Sequence, residues 1–119
     1  MNALPDGHDH AEIEREGVGP VLLPTELGHA VAATIKDENP DVIVHDEGAY
    51  LRVHSRRVCR VSRAGVESYT GYAVRFPGEL ELIMSSFTGK VAMNEDAAIW
   101  WLASEPRPAL PGPASEPPR

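Results

Sequence analysis

The stretch Leu80–Val91, LELIMSSFTGKV, is the most informative part of the chain. Its first half alternates at a period of two, which predicts a strand over Glu79–Ser86. One face of this strand carries Leu80, Leu82 and Met84. Its second half sets two serines before Phe87 and Gly89, and small hydroxyl residues beside an aromatic ring and a glycine allow another backbone to approach closely. The stretch therefore predicts a protein that acts by docking.

Short strands and two helices are predicted around this stretch. Pro20 interrupts Val18–Leu23, so that strand is predicted at a sheet edge. A helix opens at Pro24-Thr25, with Thr25 as its cap, and ends at Asn39-Pro40. The other predicted elements are strands at Val42–His45, Ala49–Ser55, Arg57–Ser62, Gly89–Met93 and Ala97–Ala103, and a second helix at about Arg63–Tyr72. The order predicts a single α+β domain of two related β-α-β-β pieces, with about seven strands and two helices.

Three regions differ in composition. Residues 1–16 are acidic and aperiodic and predict a flexible N-terminal tail. Residues 17–104 carry the strand and helix patterns and form the predicted domain. Residues 105–119 contain six prolines and predict a Pro-rich disordered tail.

Bulk properties narrow the class of function. A net charge of −7 argues against nucleic-acid binding and favours a partner with basic patches. Cys59 is the single cysteine, so no intrachain disulfide is possible, and a buried inert thiol is expected. No signal peptide or membrane-spanning stretch is found in the sequence, so we expect no membrane contact and a cytoplasmic location. We also expect the chain to be a monomer when free.

Candidate reactive groups are few. His8-Asp9-His10 is metal-like but lies in the predicted tail, where no second shell fixes the ligands. His45, Asp46, Glu47 and His54 could meet across a hairpin, although a turn and an outward-facing strand explain them more simply. In that hairpin Leu51 and Val53 are predicted to point inward, and Tyr50, Arg52 and His54 outward. No catalytic residue, metal or cofactor is therefore expected.

The last strand carries two adjacent tryptophans. Trp100 and Trp101 fall on opposite faces of it, so one is expected in the core. The other is either covered by a helix or exposed as a contact anchor.

Two segments carry a family resemblance. Val18–Val21, a helix, and then Asn39–Val53 (NPDVIVHDEGAYLRV) resemble the coupling, or effector, proteins of bacterial multicomponent diiron monooxygenases. These include the regulatory subunits of soluble methane monooxygenase, phenol hydroxylase and toluene monooxygenases. Ile83–Val91 is similar to that family's strand-turn segment, and the likeness runs from about Val18 to Ala103. One departure is the His45–Gly48 turn, which lacks the arginine often found there in the family.

The resemblance implies a cofactor-free, non-catalytic α+β protein of hydrocarbon catabolism. It would bind a separate diiron hydroxylase and alter its active-site geometry, its reaction with O₂ and its substrate access. The partner-binding residues carried over from the family are Ser85, Ser86, Phe87, Thr88 and Gly89, with Asn39, Tyr50 and Arg52.

Two other hypotheses stay open. One is a small-molecule-sensing α+β regulatory domain, which predicts a ligand pocket. The other is a small metal-dependent enzyme using His8, His10, His45 or His54.

Overall fold

The computed structural model describes residues 17–110, so the predictions for residues 1–16, with His8-Asp9-His10, and for 111–119 lie outside it. Within the described residues the α+β class is confirmed, with seven strands in two antiparallel sheets and three helices rather than two. In chain order the elements are β1 (Gly19–Leu22), α1 (Glu26–Glu38), β2 (Ile43–Asp46), β3 (Leu51–His54), β4 (Val58–Ser62), α2 (Arg63–Thr70), α3 (Gly78–Ile83), β5 (Met84–Thr88), β6 (Lys90–Met93) and β7 (Ala97–Trp101).

Helix α1 forms as its local sequence predicts. The Thr25 hydroxyl accepts a hydrogen bond from the Gly28 amide at 3.0 Å and so satisfies one of the free donors of the first turn. Its buried face includes Ala30, Val31 and Ile35, which recur at helical spacing. This face packs against both the sheets and helix α2.

The four-stranded sheet has the order β2-β3-β1-β5, and the three-stranded sheet the order β4-β7-β6. The edge position predicted for the first strand is wrong, because β1 lies between β3 and β5. Pro20 is tolerated there because it falls in a gap of the β1–β3 ladder, between the Val18–Ser55 bridge and the pair Val21–Arg52. Its missing N–H therefore breaks no strand pair on that side, while Phe87 lies opposite it on β5.

The strand predicted over Glu79–Ser86 is wrong in its first half. Gly78–Ile83 is helix α3, and the strand begins only at Met84. Leu80 and Ile83 are buried at a helical spacing of three, whereas Leu82 is 80% exposed. The run LELI fits both periods, and packing of Leu80 and Ile83 into the core selects the helix.

The core lies between the two sheets and the helices. Trp100 is fully buried within it, in one cluster with aliphatic side chains from β1, β3 and α1. Trp101 is also buried, at 6% exposure, so it is not an exposed anchor. It borders a groove of about 250 Å³ shared with Pro106 and Pro108, and an ion pair of 2.7 Å joins Arg57 to Glu105 beside it.

Candidate docking surface

Strand β5 forms one edge of the four-stranded sheet. Within residues 17–110 it pairs on one side only, with β1, which leaves its outer backbone groups open to a partner. Ser85, Ser86 and Phe87 are all exposed along this edge, while Thr88 is half-buried. The structure therefore brings the central predicted contact residues onto one open strand edge.

A β-bulge sets the direction of the serines. Ser86 lies opposite Val21 and Met84 lies opposite Leu22, so Ser85 is the extra residue between the two pairs. The Ser85 hydroxyl donates a hydrogen bond to the Val21 carbonyl at 3.3 Å, which is longer than the roughly 2.5–3.0 Å usual for O–H···O bonds and marks a weak contact. The bulge bends β5 at the position where its exposed serines begin.

Phe87 and Gly89 follow at the far end of β5. Phe87 is 44% exposed although it lies opposite Pro20, so part of its ring is available to a partner. Gly89 has φ +92°, in the left-handed region that favours glycine. A Cβ there would lie 2.6 Å from the Trp101 carbonyl oxygen and 2.8 Å from a Val18 methyl, so the turn needs glycine for packing as well.

A row of side chains crosses the same sheet. His45, Arg52, Val21 and Ser86 lie in register on β2, β3, β1 and β5, and therefore on one face. Tyr50 shares that side of β3: the Arg52 guanidinium lies 5.5 Å from its ring centroid and donates a 3.4 Å hydrogen bond to its hydroxyl. Arg52 and Ser86 are two strands apart, about 10 Å. The structure thus places Tyr50 and Arg52 on the sheet face of Ser86, whereas Phe87, which pairs with Pro20, points toward the opposite face at the same edge.

His54 lies on the same sheet face as its register partner Ile43. It is only 7% exposed, so the prediction that its side chain faces solvent is wrong. Its ring lies edge-to-face against His45, with centroids 6.2 Å apart, and this contact helps to bury it. Among the described residues no group of three or more His, Cys, Asp or Glu side chains is placed to hold a metal ion. The hairpin histidines thus form a ring contact.

Asn39 occupies a different environment from the other predicted contact residues. It is 8% exposed, and its amide donates to the carbonyls of Ile35 and Arg60 at 2.7 Å each. Its side-chain oxygen accepts from the Arg60 amide at 3.0 Å. The residue therefore ends α1 and ties it to β4, which leaves little of its surface for a partner.

An open cleft of about 420 Å³ lies beside α2 and is the kind of space that the small-molecule-sensing hypothesis needs. Arg63 on its wall already pairs with Glu67 at 2.9 Å and Asp96 at 3.2 Å. The pKa of Glu67 is lowered mainly because its carboxylate accepts a hydrogen bond from the Val74 amide. The hydrogen bond from Arg63 lowers it further. Arg63 and Glu67, two of the charged residues that line this cleft, are therefore paired with each other.

Cys59 has the inert character expected from the sequence. It is fully buried, and loss of solvation raises the pKa of its thiol to about 12. A thiol with that pKa carries almost no thiolate near neutral pH. No helix in the described part of the chain is long and apolar enough to cross a membrane.

Sequence reasoning missed two exposed leucines next to β5. Leu82 on α3 is 80% exposed, and Leu23, just after β1, is 39% exposed. The Leu23 amide donates a 2.8 Å hydrogen bond to the Ile83 carbonyl, so both leucines lie at the same corner of the sheet. A helical interpretation of LELI would have separated Leu82 from the buried Leu80.

Comparison with known proteins agrees with this architecture. An effector subunit of an alkene monooxygenase system from Xanthobacter autotrophicus (strain ATCC BAA-1158 / Py2) is 32% identical over 95 residues, which cover 78% of this chain and 93% of that protein. A chain in a solved phenol hydroxylase–regulatory protein complex has a TM-score of 0.65 at 20% identity, covering 71% of this chain and 97% of that one, which shows a shared fold. The model of the MmoB/DmpM family matches residues 16–101. This chain belongs to the MmoB/DmpM family.

Proposed function

We propose that this chain is the effector component of a multicomponent diiron monooxygenase and acts by binding the hydroxylase component, without catalysing a reaction itself. The observation that carries this proposal is the likeness to an alkene monooxygenase effector subunit along 93% of that protein's length. The solved relative, which comes from a phenol hydroxylase–regulatory protein complex, supports the same kind of partner. The exposed edge of β5 supplies a surface suited to such docking.

The proposed contact surface is built from β5 and the sheet face beside it. Phe87 provides a half-exposed aromatic anchor, and the serines before it leave room for the partner's backbone. Tyr50 and Arg52 extend the surface across β3, where they brace each other. In this proposal Asn39 acts indirectly, by holding α1 against β4 behind the contact surface.

Regulation by such a surface follows from linkage. A protein without a reactive group changes an enzyme only by binding one of the enzyme's conformations more tightly than another. Typical coupling energies of about 1–3 kcal/mol correspond to changes of about 5- to 150-fold. A rigid sheet surface can impose this difference, and we propose that the hydroxylase conformation it selects has altered active-site geometry, O₂ reactivity and substrate access.

The test is a titration of this chain into purified hydroxylase and reductase with a hydrocarbon substrate. We expect a saturable change in oxidation rate or in product distribution, and no turnover by this chain alone. Failure to change either quantity at any ratio would refute the proposed role. The substrate panel includes an alkene and an aromatic compound, because the two relatives come from systems of these kinds.

The docking surface is tested with Phe87→Ala and Ser85→Tyr. Both side chains are exposed on an edge strand, so both variants should stay folded while stimulation of the hydroxylase falls. Val58→Ala is the matched control, since Val58 is 39% exposed on the edge of the other sheet. Full stimulation by both folded β5 variants would remove this segment from the contact surface.

A further inference from the structure

We propose that the hydroxylase component contacts this chain at a second place, an apolar corner formed by Leu82 and Leu23, with Leu82 as the anchor. This inference rests on the proposed function and adds a contact that the residues carried over from the family do not include. The partner surface at this corner would be an apolar hollow with basic side chains at its rim.

Leu82 is the first observation behind this inference. It is 80% exposed, the highest value among the large apolar side chains of residues 17–110. Its neighbours on α3, Leu80 and Ile83, are buried and hold the helix in place. Burial of apolar surface is favourable, so a partner that covers Leu82 gains most of an apolar contact that folding leaves unused.

A single exposed leucine is ordinary on protein surfaces, so its position decides the argument. Leu23 is 39% exposed, and its amide is hydrogen-bonded to the Ile83 carbonyl, the residue directly after Leu82. Ile83 leads straight into β5, whose outer edge carries Phe87. The corner therefore leads directly into the β5 edge, and the two together carry three exposed large apolar side chains, Leu23, Leu82 and Phe87.

The charges near the corner indicate the chemistry of the partner. Glu81 precedes Leu82 and is exposed, and Glu26 is exposed at the start of α1, three residues after Leu23. Glu79 adds a third carboxylate on α3, whereas Arg75 is the basic residue that precedes this helix. An acidic rim around apolar side chains is complementary to a hollow edged by lysine or arginine.

Because Leu82 is largely exposed, truncating its side chain removes few contacts that stabilise the free protein, so a loss of binding can be separated from a loss of folding. We expect Leu82→Ala to keep the thermal midpoint of the wild type. Its Kd for the hydroxylase, measured by calorimetry or by the half-saturation of stimulation, should rise about 10- to 30-fold, the loss typical of an interface anchor. Tyr72→Ala is the matched control, because Tyr72 is 48% exposed next to α2, and it should bind as the wild type does.

A second variant tests the charge of the rim. Glu81→Lys should weaken binding at low salt, and the difference from wild type should shrink as ionic strength rises. Tighter binding by Glu81→Lys would overturn the basic rim.

The failure of this inference can be told apart from that of the proposed function. If the wild type binds the hydroxylase and folded Leu82→Ala binds within about twofold of it, the corner is not a contact and the proposed function stands. If Tyr72→Ala weakens binding as much as Leu82→Ala, the effect is not specific to the corner and the inference is refuted. If the wild type does not bind, both proposals fall.

Discussion

Replacing Gly89 by alanine should destabilise the protein because this glycine joins the two sheets under two constraints. It lies between β5 and β6 with φ +92°, a conformation that costs an L-residue about 1–2 kcal/mol. The new Cβ would also lie 2.6 Å from the Trp101 carbonyl oxygen and 2.8 Å from Val18 Cγ1. Backbone must shift to relieve the first contact, and overpacking of this kind costs about 1–3 kcal/mol. The expected loss is therefore about 2–5 kcal/mol.

Gly48 provides a matched control. Its φ is +86°, nearly that of Gly89, but a Cβ there would meet no atom within 4 Å. Gly48→Ala therefore reports the backbone strain without the clash, together with the same loss of unfolded-chain entropy. The difference between the two variants should be about 1–3 kcal/mol.

The assay is urea unfolding of wild type and both variants, followed by tryptophan fluorescence. Gly89→Ala should have the lower midpoint, and its loss is large against a total stability of about 5–15 kcal/mol. Equal losses of unfolding free energy in Gly89→Ala and Gly48→Ala would show that the close approach to Trp101 does not destabilise Gly89→Ala, and would refute the reasoning.

Three further predictions concern stability. Asn39→Ala should lower the free energy of unfolding by about 1–3 kcal/mol in a urea titration, since it leaves the Arg60 backbone groups without their partners; unchanged stability would contradict the bracing role. Thr25→Ala should cost about 1 kcal/mol by removing the cap of α1, whereas Thr25→Ser should restore it. Cys59 keeps its proton in the folded state up to a pKa of about 12 and loses it earlier when unfolded, so its contribution is complete below pH 9 and is lost as pH rises toward 12. The stability of the wild type relative to Cys59→Ala should therefore fall as pH rises from about 9 to about 10.5, and a constant difference would contradict the burial effect.

The sequence predicted correctly those elements whose caps and periodic residues lie close together along the chain. Thr25 and the period of α1 are contiguous in sequence, so helix, cap and buried face were predicted correctly. The second helix was predicted at about Arg63–Tyr72, and the structure begins it at the Ser62 cap and ends it at Gly71, which adopts the left-handed conformation. These features depend on neighbouring residues and need no knowledge of the sheets.

The candidate site was only partly predictable. The exposed serines and Phe87 were identified from their types and order, and the structure places them on an open edge. The exposure of Leu82 was missed because LELI satisfies both a strand and a helix period. The role of Asn39 was missed because its hydrogen-bond partner Arg60 lies 21 residues away.

By itself, the sequence determined an α+β chain with a capped first helix, a buried unreactive thiol and a polar segment before Gly89, because these follow from composition and short-range spacing. Tertiary structure alone decided which strand is an edge. β1 lies inside its sheet despite Pro20, since the gap in its ladder with β3 falls at that residue, and β5 takes the edge position. Strand order arises from contacts between residues far apart in sequence, and no local pattern contains it.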